Sequence, residues 1–108
     1  MDAARDLVAK GHIRQGLFWV HLTLEKMLKA HVCRKTGDLA PRIHNLIRLS
    51  ELAGLDLCEE DIRFLGVVNE FNLEGRYGGP HGPAPEMQEA TGILRRVEAM
   101  LAWLNKAL

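Results

Sequence analysis

A chain of 108 residues has room for one hydrophobic core, which excludes a second domain, so residues 1–108 read as one unit. The 14 acidic and 14 basic residues cancel and exclude the global field that draws strongly basic domains onto nucleic acid; any RNA contact has to be local. The charged start, Met1 to Asp6, lacks the apolar stretch of a signal peptide, and no apolar run approaches bilayer length, so the expectation is a cytoplasmic protein without a membrane.

β-branched residues never alternate over a strand's length, which predicts an all-α fold. A short first helix is expected from about Ala3 to Lys10, ending at Gly11. A long second helix follows from about Ile13 to Lys35, closed by Gly37. Its Leu17, Val20, Leu24, Leu28 and Val32 recur at steps of three and four, and Phe18 and Leu22 lie off that stripe, the pattern of a helix central to a bundle. Pro41 suits the first turn of a third helix through about Leu52, since its missing N–H would be unpaired there anyway. Glu59, Glu60 and Asp61 open a fourth helix, where carboxylates oppose the positive end of the dipole, and that helix is expected to reach about Gly75. Residues 78–85 hold three glycines and three prolines and read as a loop. From about Glu86 a last helix carries Met87, Ala90, Leu94, Val97, Leu101, Leu104 and Leu108, a heptad-like seam that packs into its own bundle or across a dimer. Cys33 and Cys58 lack CxxC spacing and read as small reduced core residues. Trp19 and Trp103 read as core or dimer-interface aromatics.

Three segments stand in a fixed order and spacing: HLTLEKMLKA from His21 to Ala30, PRIHNL from Pro41 to Leu46, and FNLEGRY from Phe71 to Tyr77. Together they resemble the HEPN family, small helical domains linked to RNA cleavage and to nucleotidyltransferase partners. The resemblance implies an antiparallel four-helix bundle with a short extra N-terminal helix. It also implies a homodimer and a pairing with a minimal nucleotidyltransferase of the toxin–antitoxin kind. Catalytic members carry an arginine, four to six intervening residues and a histidine at the end of the helix corresponding to the fourth here. Arg76 and His81 fit with four residues between them. Arg5 with His12 and Arg14 with His21 satisfy the same spacing, and only the position of Arg76, directly after FNLEG, separates it from them.

The chemistry so implied is metal-independent RNA cleavage without a cofactor. A ribose 2′-hydroxyl attacks the adjacent phosphate, a histidine moves protons, and a guanidinium stabilises charge on the phosphoryl oxygens. In the family the sites of two protomers meet at the dimer interface. The alternative is a non-catalytic module that docks a nucleotidyltransferase partner or a nucleotide; Tyr77, where active members usually have a polar residue, and the neutral net charge favour it. As the sole tyrosine, Tyr77 is also the one address for tyrosyl adenylylation.

Supporting residues come from helix faces. Glu25 with Lys29 at i+4 fits an ion pair on a solvated face; alternatively, Arg14, Phe18, His21 and Glu25 share a stripe from which the carboxylate orients Arg76 or a histidine. Asn69 and Asn72 are either exposed or bonded into that network, with Asn72, His21 and Tyr77 as candidate RNA or nucleotide contacts. His44 and Asn45 read as bonding free backbone groups of the third helix's first turn. No paired histidines or CxxC accompany His31 and Cys33, so no metal site is expected.

Overall fold

The computed structural model describes residues 1–72 and 85–108. It is an all-α bundle of five helices in the described residues: α1 (Asp2–Ala9), α2 (Ile13–Thr36), α3 (Leu46–Leu52), α4 (Glu59–Asn69) and α5 (Met87–Ala107). No described helix is long and apolar enough to cross a membrane.

The apolar stripe of α2 explains the arrangement. Leu17, Val20, Leu24, Leu28 and Val32 are all buried, and α1, α3, α4 and α5 each pack on this one helix. At Gly16 the helix passes so close to α1 that a Cβ would lie 2.6 Å from a Val8 methyl carbon and 3.0 Å from the Ala4 carbonyl oxygen. The stripe ends where Gly37 takes a left-handed conformation, φ 71°, and its N–H bonds the Cys33 carbonyl at 2.8 Å, the usual way a glycine closes a helix. The α5 seam turns inward: Ala90, Ile93, Leu94, Val97, Met100 and Leu104 are buried. His31 of α2 fastens the far end of α5, its Nε2 lying 2.8 Å from the Leu104 carbonyl oxygen.

Three expectations need correction. Helix α3 begins at Leu46, five residues after Pro41, because residues 44 and 45 are engaged by other elements before a helix can form through them. Asn45 caps it: its Oδ1 accepts from the N–H groups of Ile47 (3.0 Å) and Arg48 (3.3 Å). Helix α4 ends at Asn69 rather than near Gly75. Its last turn tightens into i to i+3 bonds, Glu70 to Val67, Phe71 to Val68 and Asn72 to Asn69, while the Asn69 side chain reaches across to α3. Cys58 is exposed in the N-cap position of α4 and Cys33 is half-buried, so neither is a core residue. For Trp19 and Trp103 the core alternative falls and the dimer-interface one is left: they are 44% and 47% exposed, each on the side of its helix turned away from the shared core.

Candidate functional site

The polar residues of the bundle converge where α2, the start of α3 and the end of α4 meet. His21 and Glu25, one turn apart on α2, are both buried. The His21 Nε2 lies 3.0 Å from the backbone carbonyl of His44, which can only accept, so Nε2 carries the proton. Glu25 faces the ring of the same residue, with His44 Nδ1 3.0 and 3.1 Å from its two carboxylate oxygens. One turn of α2 therefore grips His44 by its main chain and by its side chain. Lys29 completes the charge balance, donating from Nζ to Glu25 Oε2 at 3.0 Å.

Asn45 and Asn69 continue the network. The Asn69 Nδ2 donates to Asn45 Oδ1 at 3.0 Å, and Asn69 Oδ1 accepts the Leu46 N–H at 2.9 Å. A first-turn donor of α3 is thus satisfied from α4. The cleft that remains, about 210 Å³, is lined by His21, His44, Asn45, Asn69 and Asn72.

The electrostatics follow from burial. Desolvation holds the His21 imidazole below its ordinary pKa of 6.5, although the Glu25 charge and the His44 carbonyl oppose it. Its Nδ1 is buried without a hydrogen-bond partner among the described residues, 3.7 Å from a Glu25 oxygen. For Glu25 burial works in the other direction, raising the carboxyl, but the hydrogen bonds and charges of Lys29 and His44 outweigh it. The net result is a value below the ordinary 4.5.

Of the residues singled out from the sequence, His21, Glu25 and Asn72 come together here, His21 and Asn72 in the cleft and Glu25 behind it. Glu25 does pair with Lys29, but on a buried turn rather than a solvated face, because His44 folds over it. Asn45 bonds first-turn backbone as expected; His44 bonds a carboxylate instead. Arg76, Tyr77 and His81 lie outside the described residues. What the sequence reading missed is the partnership of His44 with Glu25; the one signal for it was a His–Asn pair directly before an apolar helix. Among the described residues no group of three or more His, Cys, Asp and Glu could hold a metal ion.

Two larger clefts, about 300 and 360 Å³, flank Arg96 between α4 and α5. Arg96 spans the gap: it bonds the Glu60 carbonyl (3.2 Å) and Asp61 (3.3 Å), and its guanidinium lies 4.6 Å from the Phe64 ring centre.

A small all-α bundle with a polar cleft at one junction of its helices is the class that this geometry defines. The HEPN domain model matches residues 1–107, and the chain belongs to the HEPN family. No curated protein sequence and no solved structure matches it.

Proposed function

We propose that this HEPN protein is one half of a pair with a minimal nucleotidyltransferase. In this reading it carries a metal-independent ribonuclease site, completed at a homodimer interface, with Arg76 and His81 as its catalytic residues. One observation carries the reading. Asn72 lines the polar cleft, and Arg76 follows it by four residues in the sequence, which supports reading the cleft and the arginine–histidine motif as one site.

In this mechanism RNA supplies its own nucleophile, the 2′-hydroxyl. Arg76 stabilises the charge gathering on the phosphoryl oxygens, and His81 transfers a proton. Tyr77 and Asn72 contact the ribose, base or phosphate; His21, 1% exposed, does not reach RNA but holds the His44 main chain, and Glu25 supports the site from behind through the His44 ring.

The test is incubation of purified protein, Arg76→Ala and His81→Ala with a mixed RNA and its all-deoxy counterpart in EDTA. The expected result is cleavage of RNA alone, with cyclic phosphate ends, lost in both variants. A folded wild-type protein that leaves RNA intact would remove the ribonuclease reading.

A second reading, a non-catalytic module docking the nucleotidyltransferase partner, draws on the open gap between α4 and α5. There Trp103 and Val67, each 47% exposed, sit beside Arg96. Exposed aromatic and arginine side chains are the usual anchors of protein interfaces. Retained binding of the partner by a Trp103→Ala variant would count against this surface.

A further inference from the structure

We propose that His44 is a catalytic residue of this protein, the base that takes the 2′-hydroxyl proton of bound RNA, and that Glu25 is its positioning residue. The inference rests on the ribonuclease reading and adds to it a group that the arginine–histidine motif does not contain.

The argument begins with hydrogen-bond direction. An ionised carboxylate only accepts, so the His44 nitrogen that meets both Glu25 oxygens, Nδ1, carries the proton. The neutral imidazole then keeps its lone pair on Nε2, on the side of the ring turned away from the carboxylate. The His44 side chain is 47% exposed, while that of Glu25 is 7% exposed. A buried carboxylate behind Nδ1 of a half-exposed ring that lines the cleft is the arrangement that fixes a histidine's tautomer and stabilises the imidazolium formed when it takes a proton. Held also through its carbonyl by His21, the residue has little freedom to turn away.

The two buried histidines fail the same test. His21 spends Nε2 on a carbonyl and its Nδ1 is buried; His31 is buried with Nε2 on the Leu104 carbonyl. Among the described histidines, His44 alone has its ring within hydrogen-bond distance of a carboxylate and exposed at the cleft. Beside it, Asn45, Asn69 and Asn72 line the cleft with amide groups suited to ribose and phosphate oxygens.

The step balances without a further reactant. The 2′-oxygen bonds to phosphorus as its proton passes to His44 Nε2. The bond from phosphorus to the 5′-oxygen breaks, and that oxygen takes a proton from the His81 imidazolium. The products are a 2′,3′-cyclic phosphate and a 5′-hydroxyl end, and the two histidines exchange back through solvent.

The decisive variant is His44→Asn, whose side-chain amide replaces Nδ1–H toward Glu25 but has nothing in place of Nε2. Single-turnover cleavage of RNA in EDTA is measured from pH 5 to 9 for wild type, His44→Asn, His44→Ala and Glu25→Gln, beside their melting temperatures. The expected result is a loss of about 10²- to 10⁴-fold in rate for His44→Asn, the range for a general base, with near-native melting and RNA affinity. Added imidazole should restore part of the activity of His44→Ala. In Glu25→Gln the single-turnover rate should fall while RNA affinity is kept, since an amide, which can donate as well as accept, no longer fixes which ring nitrogen carries the proton. A folded His44→Asn that cleaves at the wild-type rate overturns the proposal and leaves Arg76 and His81 standing. If His44→Asn does not fold, failure of imidazole to rescue a folded His44→Ala overturns it instead. A wild type that cleaves no RNA removes the ribonuclease reading and this proposal with it.

Discussion

Where α1 and α5 lie against α2, the contact is close and, apart from the His31–Leu104 bond at its far end, apolar: Ala4 and Val8 over Gly16, and Val97 and Leu104 in one core with Leu24 and Leu28. Where the start of α3 and the end of α4 meet the same helix, the contact runs through directed bonds of His21, Glu25, His44, Asn45 and Asn69. Both regions rest on the same helix, yet they are held differently. The apolar one depends on volume and is indifferent to orientation within limits; the polar one depends on each donor meeting its acceptor, and losing one member leaves others unsatisfied. A binding or catalytic centre belongs in the second kind of region, because fixed dipoles and charges can only be held by such a network.

The sharpest way to test the contrast is to damage the apolar side first. Leu24→Ala removes a fully buried side chain and is expected to cost about 2–5 kcal/mol, read from the denaturant midpoint. Gly16→Ala attacks the same side by overpacking, since its Cβ meets Val8 and the Ala4 carbonyl. A loss of about 1–3 kcal/mol is expected, and a stabilised variant would mean that α1 can shift freely.

On the polar side Asn45→Ala deletes a cap that serves two backbone N–H groups and the Asn69 amide. It should cost about 0.5–2 kcal/mol, with the loss concentrated locally: hydrogen exchange at Ile47 and Arg48 should quicken while amides of α5 keep their protection.

Acid should separate the regions without any mutation. His21 is held below its ordinary 6.5, so the unfolded chain binds that proton more readily; its stabilisation is complete above 6.5 and declines as pH falls from there toward the folded value. Glu25 is also held low, so its contribution is present above 4.5 and is lost as pH falls through the folded value. Melting temperature should therefore fall in two stages on acidification, the upper one absent in His21→Gln and the lower one absent in Glu25→Gln. A single stage in wild type, unchanged by either variant, would contradict this assignment.

The smallest effect is expected for Arg5→Ala. Its 2.7 Å pair with Glu98 joins α1 to α5 at the surface, with Arg5 52% exposed, and such pairs contribute about 0–1 kcal/mol. A larger loss in thermal melts would show that the apolar side also relies on charge.

Much of the helical frame was legible from local rules. The stripe from Leu17 to Val32, the stop at Gly37, the acidic start of α4 and the seam of α5 each follow from side-chain period or terminus chemistry within a few residues. The errors lie where distant residues compete with local preference. Pro41 offers a good first helical turn, yet His44 is claimed by α2 and Leu46 N–H by α4, so α3 starts late. Glu25 has the spacing of a surface ion pair, and nothing within four residues of it announces that His44 will cover it.

Periodicity and punctuation along the chain, including the family pattern spread over its three segments, are enough to specify an all-α HEPN bundle around α2, because apolar spacing and helix caps act over a turn or less. Which polar groups are brought together was decided only by the tertiary structure. His21, Glu25, His44 and Asn69 stand up to 48 residues apart in sequence, and a buried polar side chain takes its role from partners that the packing of α2, α3 and α4 brings within hydrogen-bond reach.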